Sequence, residues 1–145
     1  MYINPENFYT MKGYELGSQS KISTASEDYL EMIYRHSLIN DYVRINFLAA
    51  RLNVNPSSAS KMVQHLKELG LVNFEKYGLI SLTPNGKELG EYLLFRHNIV
   101  HKFLCLINSS TNELKQTELI EHFLDKRTVK NIEALINELE EKGIR

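Results

Sequence analysis

The stretch "NVNPSSASKMVQHLKELGLVNFEKYGLISLTP", residues 53–84, changes from a helical to a strand-like period halfway along, and that change decides the fold. Asn55 is a good N-cap, Pro56 suits the first helical position because its missing N–H would be unsatisfied there anyway, and Gly70 is a natural stop. The punctuation predicts a helix from Pro56 to about Leu69. Ala59, Met62, Val63, Leu66 and Leu69 fall on one side of it, and Ser57, Ser58, Ser60, Lys61, Gln64 and Lys67 on the other. After Gly70, "LVNFEKYGLISLT" reads as two short β-rich runs around a tight turn at Tyr77 and Gly78, which is a hairpin.

Working upstream, Ile45, Leu48, Ala49 and Leu52 carry the spacing of a short helix, and Tyr29, Leu30, Met32 and Ile33 that of an earlier one with Ser26 as its expected cap. Downstream, Thr83 and Pro84 open a long helix to about residue 107, with Leu89, Leu93, Leu94, Val100, Phe103 and Leu104 as its apolar positions. A short helix around "TELIEHFL" (117–124) and a last one marked by Val129, Ile132, Leu135, Ile136 and Leu139 follow. Residues 1–21 hold Pro5, Gly13 and Gly17 without periodicity and read as a loose arm. The expected architecture is mainly α: a winged helix-turn-helix over 22–90 with a small β-hairpin wing, then a helical region over 91–145.

The whole chain of 145 residues carries a net charge of −1, so no global nucleic-acid signature exists. Locally, Arg51, Lys61, Lys67, Lys76 and Lys87 face only Glu68 and Glu75, which leaves 51–87 at +3. A helix with small hydroxyls at its start and Lys and Gln further on can enter the major groove closely. This puts Ser57, Ser58, Ser60, Lys61 and Gln64 at bases or phosphates, and Lys76 and Tyr77 of the wing at the backbone or minor groove. A Ser- and Lys-bearing face is equally what a solvated helix presents; the order helix, turn, helix, wing favours DNA. The single cysteine, Cys105, allows no intrachain disulfide and suits a reducing compartment. No apolar run approaches the roughly 20 residues that span a bilayer, and the start lacks a signal-peptide pattern, so the expected location is the cytoplasm, away from membranes.

Glu118, Glu121 and His122 stand at i, i+3 and i+4, and Asp28 and Glu31 repeat the i, i+3 spacing on the first helix; His97 lies midway along the long one. Oxygen and imidazole donors of this kind suit hard or borderline divalent ions. If four carboxylates converged, their repulsion would cost several kcal/mol without a cation. Spacing alone leaves the bland alternative open, in which the acids sit on solvated faces or in a favourable first turn.

Together the motifs "EDYLEMIY" (27–34), "VNPSSASKMVQHLKELGLVNFEKYGLISLTPNGK" (54–87), "LLFRHNIVHKFL" (93–104) and "ELIEHFL" (118–124) resemble the manganese-regulator branch of the diphtheria-toxin-repressor family. The resemblance implies a homodimeric, metal-activated repressor of metal-uptake genes on a palindromic DNA operator, with a C-terminal helical dimerisation domain and no small organic substrate. It carries the family's metal ligands onto Asp28, Glu31, His97, Glu118, Glu121 and His122, around two Mn(II) ions per subunit, with Fe(II), Cd(II) or Zn(II) as substitutes. Iron-sensing relatives have methionine at the position of Asp28 and cysteine at that of Glu121, so the resemblance implies manganese. Two rivals remain at this point: a winged-helix regulator answering another metal or a small organic ligand, and a di-metal carboxylate enzyme. Against the enzyme, bundle oxidases repeat Glu-x-x-His, and no such repeat occurs here.

Overall fold

A computed structural model describes residues 22–143; the expected arm over 1–21 lies outside the described residues. The elements are α1 (Thr24–Ser37), β1 (Val43–Arg44), α2 (Ile45–Leu52), α3 (Pro56–Glu68), β2 (Val72–Phe74), β3 (Leu79–Leu82), α4 (Pro84–Asn108), α5 (Leu114–Ile120) and α6 (Lys126–Glu141). Short 3-10 turns cover Lys76–Gly78 and Glu121–Phe123.

Local chemistry explains the boundaries. Asn55 caps α3 by accepting from the Ser58 N–H, and Thr83 caps α4 by accepting from the Gly86 N–H. In α1 the cap is Ser23, not Ser26: the Ser23 side chain accepts from the Ser26 N–H at 3.1 Å, while Ser26 is buried and its hydroxyl reaches the Met62 sulfur at 3.2 Å. Every hydroxyl in a Ser/Thr cluster can cap; the one followed by the buried stripe does.

The wing is larger than a hairpin. β2 and β3 pair antiparallel with Val72 opposite Leu82, and β1 adds to the other edge of β3 with Val43 opposite Ile80, giving the order β1-β3-β2. Tyr77 takes φ of 67° in the turn. One core joins α1, α2, α3, the sheet and the start of α4 through Leu30, Ile33, Leu48, Val63, Leu66, Ile80 and Leu93. Each such side chain contributes roughly 1.5–3 kcal/mol on leaving water. Beyond it, Val100, Leu104, Val129 and Ile136 are buried along α4 and α6. Lys126 and Lys130 of α6 lie over the rings of Tyr92 and Phe95 of α4, at 5.0 and 4.8 Å. No helix among the described residues is long and apolar enough to cross a membrane.

Candidate metal centre

Three segments far apart in sequence meet at one place. α1 presents Asp28 and Glu31 one turn apart, α4 presents His97 at the centre of its 25 residues, and the turn after α5 presents Glu121 and His122. Glu121 is only 2% exposed and His97 6%. A buried carboxylate needs partners; the Glu121 Oε2 lies 2.9 Å from the His97 Nδ1. Asp28, Glu121 and His122 each bring a donor atom within 4.8 Å of the others, and so do Glu31, His97 and Glu121. Glu121 belongs to both groups.

Five of the six expected ligands therefore converge. Glu118 does not join either group; it is exposed and lines the same cleft, of about 320 Å³, with Asp28, Glu31, Met32, Arg35 and Glu121. Its segment, "TELIEHFL", is α-helical as far as Ile120. The chain tightens into a 3-10 turn over Glu121–Phe123, yet the Glu121 N–H still donates to the Thr117 carbonyl as in a helix, so Glu118 and Glu121 line one cleft and Glu118 differs in standing exposed at its rim.

The electrostatics agree with a site built for positive charge. Burial raises the Glu31 carboxyl above its ordinary value, and the nearby Glu121 adds to this, against the opposing pull of Arg35 and His97. Arg35 Nε donates to Glu31 at 2.9 Å. His122 is held between two carboxylates, with Nε2 at 3.0 Å from Asp28 and Nδ1 at 2.9 Å from Glu27. Hydrogen bonds to Asp28 and then Glu27 push its pKa up to about 9, so a cation entering here must expel that proton. Oxygen and nitrogen donors without a thiolate, arranged around one shared buried carboxylate, fit a hard or borderline divalent ion.

Two residues of this neighbourhood escaped the sequence reading, Glu27 and Arg96. Arg96 is buried, and its guanidinium reaches Glu27 at 3.3 and 3.4 Å. The signal was present: Arg96 interrupts the buried positions Leu93, His97, Val100 and Leu104, where an arginine must find a partner.

On the DNA-reading side, Ser58, Lys61 and Gln64 are exposed along α3, Ser60 is half-buried, and Lys76 and Tyr77 stand exposed in the turn between β2 and β3, Tyr77 at 91%. The Ser57 hydroxyl is occupied by the cap, donating to the Asn55 Oδ1 at 2.7 Å. Arg51, part of the local positive excess, lies 5.6 Å over the Phe47 ring and borders the acidic cleft instead.

Comparison with known proteins follows the same division. Residues 21–79 match the model for "iron dependent repressor, N-terminal DNA binding domain", and residues 83–143 that for "iron dependent repressor, metal binding and dimerisation domain". The chain is 39% identical over 112 residues to an HTH-type transcriptional regulator MntR of Oceanobacillus iheyensis, covering 77% of this chain and 76% of that protein. It is 38% identical over 116 residues to that of Geobacillus kaustophilus, covering 79% and 82%. A solved manganese-dependent transcriptional repressor complex with manganese aligns at a TM-score of 0.70 and 28% identity, covering 77% of this chain; this chain spans 52% of that longer one.

Proposed function

The chain belongs to the iron-dependent repressor family, and from that premise we propose that it is a homodimeric, manganese-responsive repressor of metal-uptake genes that binds a palindromic operator. The single observation that carries the metal half of this reading is Glu121, a nearly fully buried carboxylate common to two groups of oxygen and nitrogen donors drawn from three segments of the chain. Asp28, Glu31, His97, Glu121 and His122 hold the ions in this reading, with Glu118 supplying a further carboxylate from the rim. Bound Mn(II) supplies the positive charge that lets these acids remain together. Two ions per subunit cancel the formal −4 of Asp28, Glu31, Glu118 and Glu121, and Fe(II), Cd(II) or Zn(II) can substitute.

The residues themselves couple the halves. Asp28 and Glu31 ride on α1, which packs in the core that carries α3, whereas Glu121 and His122 sit at the end of α5. Fixing them together fixes the recognition helix against the part of the chain that forms the dimer, where Ile107, Leu119, Phe123 and Leu135 expose large apolar side chains. Two α3 helices at a set spacing suit two major-groove half-sites about one helical turn apart. Ser58, Lys61 and Gln64 are the residues of α3 placed to reach bases and phosphates, Ser57 and Ser60 lie beside them, and Lys76 and Tyr77 reach the flanking backbone.

Titrating purified protein with Mn(II) by calorimetry and elemental analysis tests the metal half: two ions per subunit are expected, and no stoichiometric uptake would favour a regulator of an organic ligand. For the DNA half, Lys61→Ala is expected to weaken binding across sequences and to reduce the salt slope by about one. Gln64→Ala is instead expected to relax base preference, at about 1–3 kcal/mol. Unchanged salt dependence in the first variant would remove Lys61 from the interface.

A further inference from the structure

The candidate ligands have a companion set that does not enter either donor group. Glu27 directly precedes Asp28, and Arg96 directly precedes His97. The Arg96 guanidinium holds both Glu27 oxygens, at 3.3 and 3.4 Å, although the two residues are 69 positions apart. Arg96 is 3% exposed and Glu27 is the carboxylate that balances its charge; its Nη2 also lies 3.4 Å from His122 Nδ1, farther from that nitrogen than the Glu27 carboxylate is. The same Glu27 Oε1 lies 2.9 Å from His122 Nδ1, across 95 positions of sequence. On its other side the His122 ring turns Nε2 toward Asp28 Oδ1, at 3.0 Å. With its side chain 6% exposed, the ring has little room to rotate.

An imidazole has two nitrogens, and only the one without a proton can bind a metal. We propose that Glu27, held in place by Arg96, is the positioning residue that fixes His122 with Nδ1–H donated to its carboxylate and Nε2 turned to the metal. The inference rests on the metal reading above and deepens it. It also accounts for why Glu27, an acid beside the cluster, stays outside it. Arg96 cancels its charge and takes both its oxygens, so Glu27 orients the ligand rather than competing to become one. Carboxylates that support a ligating histidine in this way set ring orientation and ligand basicity. The arrangement has a structural benefit as well, because Glu27, Arg96 and His122 tie α1, α4 and the turn after α5 together.

Two measurements on the full chain test the assignment. In protein with 15N-labelled histidine loaded with Cd(II), scalar coupling to the metal is expected on Nε2 of His122; coupling on Nδ1 would overturn the proposal. In Mn(II) titrations, Glu27→Ala is expected to lower affinity about 10- to 100-fold. Glu27→Gln, which keeps an oxygen to accept from Nδ1–H, is expected to recover most of that loss. Thermal unfolding of both variants without metal separates a folding defect from a binding one. A purely structural role predicts that both variants unfold earlier yet bind Mn(II) with wild-type affinity once folded, and that result would overturn the proposal. Absence of metal uptake by the wild type would instead remove the metal reading on which it stands.

Discussion

Glu121→Ala is expected to lower Mn(II) affinity by more than about 100-fold and to abolish the dependence of operator binding on metal. The magnitude follows from position. Glu121 is the one residue common to both donor groups, so its loss depletes both at once. Removing groups that only support a ligand costs about 10- to 100-fold, and a shared ligand should cost more. The substitution also leaves the buried His97 without its 2.9 Å partner, a penalty of about 1–3 kcal/mol that opposes the gain from no longer burying a charge. Glu121→Gln is the better control for folding, because an amide oxygen can still accept from the His97 ring. Equal metal affinity in wild type and both variants, measured by calorimetry, would show that this carboxylate is not a ligand.

The second large effect concerns the joint between the two halves of the chain. Gly86→Ala is expected to destabilise the protein by about 3 kcal/mol or more and to lower Tm by roughly 10 °C. A Cβ built at Gly86 would stand 1.8 Å from the Leu71 carbonyl oxygen and 2.9 Å from its carbon. Neither atom can move freely. The Leu71 carbonyl accepts from the Thr83 N–H at 3.1 Å, and the Thr83 side chain caps α4 while donating to the Gly70 carbonyl at 2.7 Å. Closing this joint sets where α4 leaves the winged helix, and so where His97 stands relative to α1. One turn on, a Cβ at Gly90 would meet the Tyr34 ring at 2.7 to 2.8 Å, so there α4 approaches α1 closely. Thermal unfolding of Gly86→Ala beside the exposed neighbour Lys87→Ala checks the argument; the same Tm in both would refute it.

The recognition helix and its wing were legible because their signals are local. Asn55 and Pro56 fix where α3 begins, and the buried side chains Ala59, Val63 and Leu66 repeat at helical spacing. β1 was not legible, since a strand of two residues, Val43 and Arg44, has no period to detect and is defined only by its pairing with Ile80 and Leu79. At the site, residue identities carried further than geometry. Asp28, Glu31, His97, Glu121 and His122 do meet, but that α1, α4 and the turn after α5 bring them together depends on tertiary contacts that spacing does not encode. Glu27 and Arg96 are hard to read from the sequence for a related reason. An acid in a first turn and an arginine on a long helix are ordinarily solvated, and only the packing of α1 against α4 makes them partners.

The central claim, that metal occupancy controls DNA binding, is tested most directly on the wild-type chain. A duplex selected from a random pool in the presence of Mn(II) would be titrated by fluorescence anisotropy at fixed ionic strength, once with Mn(II) and once with chelator. Binding is expected to be tighter with Mn(II) by roughly 5- to 150-fold, the range of an ordinary coupling free energy between two sites. Equal affinity under the two conditions, with the protein folded in both, would contradict it.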